Sequence, residues 1–578
     1  MAVEALKHLP KAQSRRFVPE HIDLGDWNQL APLFVKLQEE GTGLKSALEL
    51  EVWVTRCGEL GAALDQEGSR RHIDHTCQTD DLEAETAYLH FVEHIEPKLK
   101  SEWQKLDQIF LACPCSKDLP LERWMVFVRE TKKDVELFRE ENIPLQTEDT
   151  KLGLHYQKII GALTVRFNDK EHTLQQMGVY LEKPDRNQRE VAWQLITFRR
   201  MLERERIEDL YDQLLGLRAQ IARNADCDGY RDFAFRAKSR FDYTPAMCTD
   251  FHTAVEELVV PMARQLQERR KRLMRIDQLR PWDTAVDPRG RQPLKPFENV
   301  EQFIERTHAV FQRIDHTLAD DFGVLRKHKL LELESRKGKA PGGYLCPLHE
   351  SGLAFIFMNA VGLERDVETL LHESGHAFHA LATKNEPILM YRNAPLEFCE
   401  VASMSMELLG GPHLDCFYGR EDARRAQRVH LEGIVSILPW IATVDAFQHW
   451  IYTHPGHTRA ERRAEWLSLL DRFGGKEDWT GFEDARASMW HRQLHIVLLP
   501  FYYIEYGIAQ LGALQIWLNS KRDVKQAVSA YRKALALGRS RPLPELFKVA
   551  GAEFEFSAKT IKPLAEAVGA ELAELEDA

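Results

Sequence analysis

One stretch constrains the fold of this chain more than any other: Asp366 to Ala382, D-V-E-T-L-L-H-E-S-G-H-A-F-H-A-L-A. Apolar residues occur on nearly every side of it, so it reads as a buried helix with Asp366 as N-cap. Inside lies His372-Glu373-Ser374-Gly375-His376, a match to H-E-x-x-H. Positions i and i+4 share a helix face, so both imidazoles can point at one ion, and that spacing suits Zn²⁺. Glu373 is placed beside them to take a proton from a metal-bound water. Polar groups in a buried helix need partners, and a metal supplies them. The plainer alternative is a pair of hydrogen-bonded core histidines. Gly375 costs a helix about 1 kcal/mol against alanine, which makes sense if another backbone approaches there.

A second apolar helix is expected from Pro395 to Leu409, with Gly410, Gly411 and Pro412 past its end. It carries Glu397, Glu400 and Glu407. Buried carboxylates must be paired, hydrogen-bonded or metal-bound, so one of the three is expected to complete a His₂Glu site with a fourth position open for water. From the residues alone the choice among them stays open.

These two stretches, H-E-S-G-H-A-F-H and E-F-C-E-V-A-S-M-S-M-E, resemble the oligoendopeptidase F and thimet oligopeptidase family of zinc peptidases, more closely its oligoendopeptidase F branch. A further block, His495 to Tyr506 (H-I-V-L-L-P-F-Y-Y-I-E-Y), resembles the family's C-terminal His/Tyr segment. The resemblance covers about Arg186 onward and more weakly the part before. It implies one zinc per chain on His372, His376 and Glu400, with Glu373 as general base. It implies oxyanion stabilisation by His495 and one or two of Tyr502, Tyr503 and Tyr506. The implied fold is mostly α: two helical lobes around a deep channel that admits oligopeptides, with a small β-sheet beside the zinc helix. The division expected is an N-terminal helical lobe, 1–185, and a catalytic domain, 186–578. Two other functions stay open: a metallocarboxypeptidase of related fold, and a peptide-binding protein whose metal is not catalytic.

Composition narrows the setting. With 77 Lys+Arg against 89 Asp+Glu, the 578-residue chain has a net charge of −12, which argues against a nucleic-acid partner. Nine cysteines without even spacing fit a reducing, cytoplasmic protein. No signal-like run opens the sequence, and apolar stretches such as Leu353–Leu363 are too short and interrupted to span a bilayer, so no membrane partner is expected. A monomer or small homo-oligomer is expected.

Along the chain, residues 1–185 read as successive helices, including 26–39, 81–106 and 121–142, without strand alternation. One long helix is expected over 186–223, then a turn at Asn224–Gly229 that lacks the twelfth-position glutamate of a calcium loop. His72, Asp74 and His75 read as part of a surface helix. Residues 279–297 and 336–343 read as long loops. The second leads into Ala354–Asn359, the best strand candidate. A strand there could pair with an extended substrate, so Phe355 and Phe357, with Gly342 and Gly343 before them, are candidate substrate-binding residues. Pro500 is expected in the first turn of the helix carrying the three tyrosines.

Overall fold

The computed structural model describes residues 2–575, apart from 7, 337 and 341. Helices make up most of it, and they begin where short polar side chains can hold the first free N–H groups. Asp26 accepts from the Asn28 N–H ahead of Trp27–Thr42, and Ser46 from the Glu49 N–H ahead of α1 (Ala47–Cys77). The run expected over 81–106 is Leu82–His90, capped by Asp81, then five π-helical residues, then α2 (Glu96–Ala112). The helix expected over 186–223 is broken near Leu202, giving Arg186–Met201 and Arg204–Asn224. Next comes α3 (Pro245–Leu258), whose proline occupies the first turn and whose cap is Thr244.

The N-terminal part is not purely helical. Strands β1 (Thr164–Phe167) and β2 (Lys170–Thr173) form an antiparallel hairpin. Its two-residue turn, Asn168-Asp169, has positive φ at both positions (50° and 59°), the backbone that a tight hairpin favours.

A three-stranded sheet precedes the H-E-x-x-H helix. Its strands are β3 (Leu331–Glu334), β4 (Tyr344–Leu348) and β5 (Leu353–Ala360), in the order β3-β5-β4. β5 pairs in parallel with β3 and antiparallel with β4, Tyr344 opposite Phe357 and Leu348 opposite Leu353. Both edges of β5 are thus occupied, and Phe355 and Phe357 are fully buried. The expectation that this strand offers its backbone and its phenylalanines to a substrate does not hold. The edge strands are β3 and β4, and β4 is the one that Gly342 and Gly343 lead into.

Helix α1 packs against that sheet. Its Thr76 Oγ1 meets the Tyr344 hydroxyl at 2.6 Å, and His72 lies 5.2 Å from the Tyr344 ring. His75 stacks on Tyr88, and Asp74 pairs with Arg70. The His72–His75 face is therefore a packed one, not the surface face its sequence suggests.

After the sheet come α4 (Glu364–Thr383), α5 (Leu396–Gly410), α6 (Arg420–Thr453) and α7 (Tyr503–Arg522). Among the described residues α6 is long and apolar enough to cross a membrane by length and composition, contrary to the reading of the sequence. Here 61% of its most apolar window is buried inside the protein. The buried apolar side chains sort into three clusters. The largest runs from Leu6 to Leu575 and takes in Tyr156 and Ile159. A second joins residues of 18–126 to Ile388 and Tyr391. A small third one lies under the hairpin.

Candidate functional site

The site is built where α4 crosses α5. A Cβ on Gly375 would lie 2.5 Å from the Ala402 carbonyl oxygen and 2.6 Å from Ser403 Cα, so the two backbones touch there. That contact carries the expectation made for Gly375, and it brings Glu400 over the histidine face of α4. Glu400 Oε2 lies 3.4 Å from His372 Nε2 and 3.7 Å from His376 Nε2. One donor atom from each of the three residues falls within 4.8 Å of the others.

His372 and Glu400 are held from behind. His372 Nδ1 lies 2.6 Å from Glu407 Oε1, and His430 Nε2 lies 3.0 Å from Glu407 Oε2. Tyr502 donates to Glu400 Oε1 at 2.7 Å and Ser403 to Glu400 Oε2 at 3.1 Å. Glu397 is buried too, but its partner is the Tyr243 hydroxyl at 2.6 Å, and it takes no part in the cluster.

The electrostatics suit a cation. Burial works against an ionised Glu400, yet His376, His372 and the Tyr502 hydrogen bond hold it down at about 2. Burial lowers His376 to about 4, leaving a neutral imidazole. His372 is displaced the other way: burial opposes its cation, but Glu400 and Glu407 favour it more. A divalent ion between Nε2 and Glu400 would replace that proton.

Glu373 stands apart from the three donors. It is 7% exposed, and its Oε2 has no hydrogen-bond partner. Burial pushes its carboxyl up to about 7. Its Oε1 would lie 3.6 Å from a Cβ on Gly343, the exposed residue that enters edge strand β4. Gly342, one residue earlier, is also exposed, with φ at 97°. Asp366 is not the N-cap expected for α4. It sits in the first turn, where Oδ2 accepts from the N–H groups of Val361, Gly362 and Leu363.

The His495–Tyr506 block folds over the same site. Pro500 lies in the turn ahead of α7, not in its first helical turn, and Tyr502 is the N-cap. The indole N–H of Trp440 can only donate, so the Gln493 atom it meets at 3.1 Å is the amide oxygen. The amide nitrogen then donates to His495 Nδ1 at 2.8 Å, which places the imidazole proton on Nε2, 3.3 Å from the Tyr506 hydroxyl. Burial lowers His495 to about 4, so the ring is neutral. Tyr506 thus accepts from His495 and keeps its own hydrogen to donate. The Tyr502 hydrogen is committed to Glu400. Tyr503 is buried, edge-on to His495 with ring centroids 5.0 Å apart.

Several supporting residues had no signal in the sequence. Arg240 donates to Glu505 at 2.9 Å and to the Phe501 carbonyl. Phe501 has φ of 62°, a strained value for an aromatic residue, and the arginine holds the turn that presents Tyr502. His430 and Gln493 act across helices and show no sequence periodicity of their own.

A cavity of about 680 Å³ lies between α1, α2 and β4, lined among others by Trp53, His72, Tyr88, Trp103 and Cys346.

Known proteins resemble this chain. Residues 179–566 match peptidase family M3. Oligoendopeptidase F, chromosomal, of Lactococcus lactis subsp. cremoris is 21% identical over 234 residues, 40% of this chain and 37% of that protein. An oligoendopeptidase F homolog of Borreliella burgdorferi is 25% identical over 232 residues, 38% of each chain. The chain thus aligns with little more than a third of the length of these relatives. Among solved structures, PZ peptidase A with an inhibitor superposes with a TM-score of 0.91 at 27% identity, covering 97% of this chain and 99% of that one. Oligoendopeptidase F from Enterococcus faecium, at 15% identity, shares the fold, with a TM-score of 0.63 over 95% of this chain and 98% of its own. With two thirds of its length matched and the fold shared from end to end, the chain belongs to peptidase family M3.

Proposed function

We propose that the protein is a zinc-dependent endopeptidase acting on short peptides. The observation that carries this reading is Glu373: a buried carboxylate with one unpartnered oxygen, beside three converging donors, at the entry to an open strand edge. His372, His376 and Glu400 would hold the ion. Two neutral-capable imidazoles and one carboxylate form the donor set of catalytic zinc. When bound, the ion supplies Lewis-acid polarisation of the scissile carbonyl and acidification of a water.

The residues of the chain do the rest. An extended peptide pairs with the open edge of β4, which gives affinity without sequence specificity. Glu373 removes the proton from the attacking water and, as the C–N bond breaks, delivers it to the leaving amine. Tyr506, oriented by His495, donates to the developing oxyanion. Tyr502 and Glu407 position the ligands. The cavity between α1, α2 and β4 would receive side chains of an edge-bound peptide, and the channel that the family resemblance implies would favour short peptides over folded proteins.

The test is cleavage of a peptide blocked at both ends, followed by product mapping and zinc determination on the same sample. Cleavage inside the blocked peptide, lost on chelation and restored by Zn²⁺, is the expected result. Activity only on peptides with a free carboxyl end would instead make it a carboxypeptidase, and full activity in a rigorously metal-free sample would remove zinc from the mechanism.

The two tyrosines are expected to separate. Tyr506→Phe should lower kcat by roughly 10²–10³ with zinc affinity unchanged. Tyr502→Phe and Glu407→Gln, which release a ligand from its support, should weaken zinc retention about 10–100-fold. Zinc competition with a chelator and kcat on the same preparations check this, and a Tyr506→Phe protein with native kcat would move the donor role elsewhere.

A further inference from the structure

A second set of metal-ligand side chains is buried between α3 and α6, on different helices from His372, His376 and Glu400. Each helix supplies an i, i+4 pair. On α3 these are Cys248 and His252, in C-T-D-F-H; on α6 they are Asp445 and His449, in D-A-F-Q-H. The two pairs face each other. One donor atom each of Cys248, Asp445 and His449 lies within 4.8 Å of the other two. Cys248 and Asp445 are completely buried, and His252 is 4% exposed.

The hydrogen bonding of this cluster is incomplete. His252 Nε2 meets Asp445 Oδ2 at 2.8 Å, but Asp445 Oδ1 has no partner. His449 Nε2 is 3.3 Å from Asp445 Oδ2, yet out of line for a hydrogen bond, and has no other partner. A fully buried carboxylate oxygen without a donor costs the fold about 1–3 kcal/mol or more. A polar triad of two histidines around one aspartate explains why Asp445 stays ionised. It does not explain the two orphan atoms, nor a cysteine aimed at them.

The surroundings are apolar on most sides. Phe501 lies 5.2 Å and Phe235 5.8 Å from the His449 ring, and Phe473 lies 6.4 Å from His252. Arg240 also acts electrostatically on the thiol, and its charge is matched by Glu505 at 2.9 Å.

We propose that Cys248, Asp445 and His449 bind a second, structural metal ion of the Zn²⁺ class, with His252 holding Asp445 in place. A thiolate, an imidazole and a carboxylate together select borderline ions such as Zn²⁺ over Mg²⁺ or Ca²⁺. Its place in the fold gives it a task. Gln448, next to His449, accepts from the Phe501 N–H at 3.1 Å, and the His449 ring packs on Phe501. Joining α3 to this end of α6 would brace the strained turn that presents Tyr502. The proposal does not depend on the peptidase reading.

Metal counting on the full chain tests it. Protein stripped of metal, reloaded with Zn²⁺ and passed through a metal-free column should hold two ions per chain. A His372→Ala/His376→Ala protein should hold one. Reloaded with Co²⁺, both should show a near-ultraviolet thiolate-to-cobalt charge-transfer band, which the His₂Glu donors cannot produce. Cys248→Ala should lose one ion and the band. Its thermal midpoint should fall. The wild-type and double-alanine measurements decide the matter even if Cys248→Ala does not fold. A wild-type chain with one ion, a double-alanine chain with none, or a band that survives Cys248→Ala would each overturn the second site. Two ions in the double-alanine chain would instead count against the His372/His376 assignment.

Discussion

Glu373→Gln is expected to keep its fold and its zinc while losing turnover by roughly 10²–10⁴-fold. The geometry separates the two properties. His372, His376 and Glu400 converge on one point, whereas Glu373 is one residue round the helix from His372, and its Oε2 meets nothing. Glutamine fills the same volume in the same rotamers and removes a carboxyl that burial already disfavours, so the folded chain should tolerate it. What disappears is the proton acceptor for water and the proton donor for the leaving amine. The loss exceeds that range if both transfers limit the rate. Zinc content and kcat measured on one preparation check the prediction. Near-native turnover would revive the reading of a site that only holds metal.

Gly375→Ala is expected to damage the site far more than the addition of one methyl group suggests. In an unobstructed helix it would stabilise by about 1 kcal/mol. Here the new methyl group would sit 2.5 Å from a backbone oxygen and 2.6 Å from a backbone carbon of α5, neither of which can rotate away. The helices must separate, at a cost of roughly 1–3 kcal/mol for overpacking. Glu400 rides on the helix that moves, while both histidines stay on the other. The variant should therefore lose zinc affinity before it unfolds. Thermal unfolding with and without added Zn²⁺ reads both effects. A more stable variant with unchanged affinity would show that the backbones are not in contact in solution.

The parts of this site that the sequence discloses are the local ones. The pairing of His372 with His376 follows from helix geometry, and the cost of Gly375 announces a close neighbour without naming it. Glu400 could be chosen over Glu397 and Glu407 only through the family resemblance. All three are acids on one helix, Glu397 and Glu400 buried and Glu407 half-buried, and what distinguishes them is which partner the fold brings: Tyr243, the histidine pair, or His372 with His430. The supports contributed by Gln493, Arg240 and His430 arrive across long sequence separations and leave no pattern. For β5 the apolar run correctly announces a strand, yet strand order is a tertiary property. The strand turned out central, and the edges fell to the less apolar β3 and β4. The hairpin at 164–173 was readable in principle, since Asn168-Asp169 is a turn signal between two short alternating runs. Asp366 shows the limit of cap rules: the carboxylate meets free N–H groups as expected, but those of the preceding loop.

The largest core cluster joins Leu6 to Leu572 and Leu575 and encloses α4, α5 and α7 on the way. This has a consequence for the newborn chain. During synthesis, α4 and α5 emerge well before Tyr506 and the helix Ala558–Glu574 that close the core around them. Domains generally fold as units once their parts are present. Even the N-terminal cluster waits for Ile388 and Tyr391. A ribosome-bound chain thus exposes its histidine helix while lacking the tyrosines above it, so under the proposed function competence to cut peptide bonds would arrive only after Tyr506 has emerged. Until then, neighbouring nascent chains, which are extended and unprotected, would be spared.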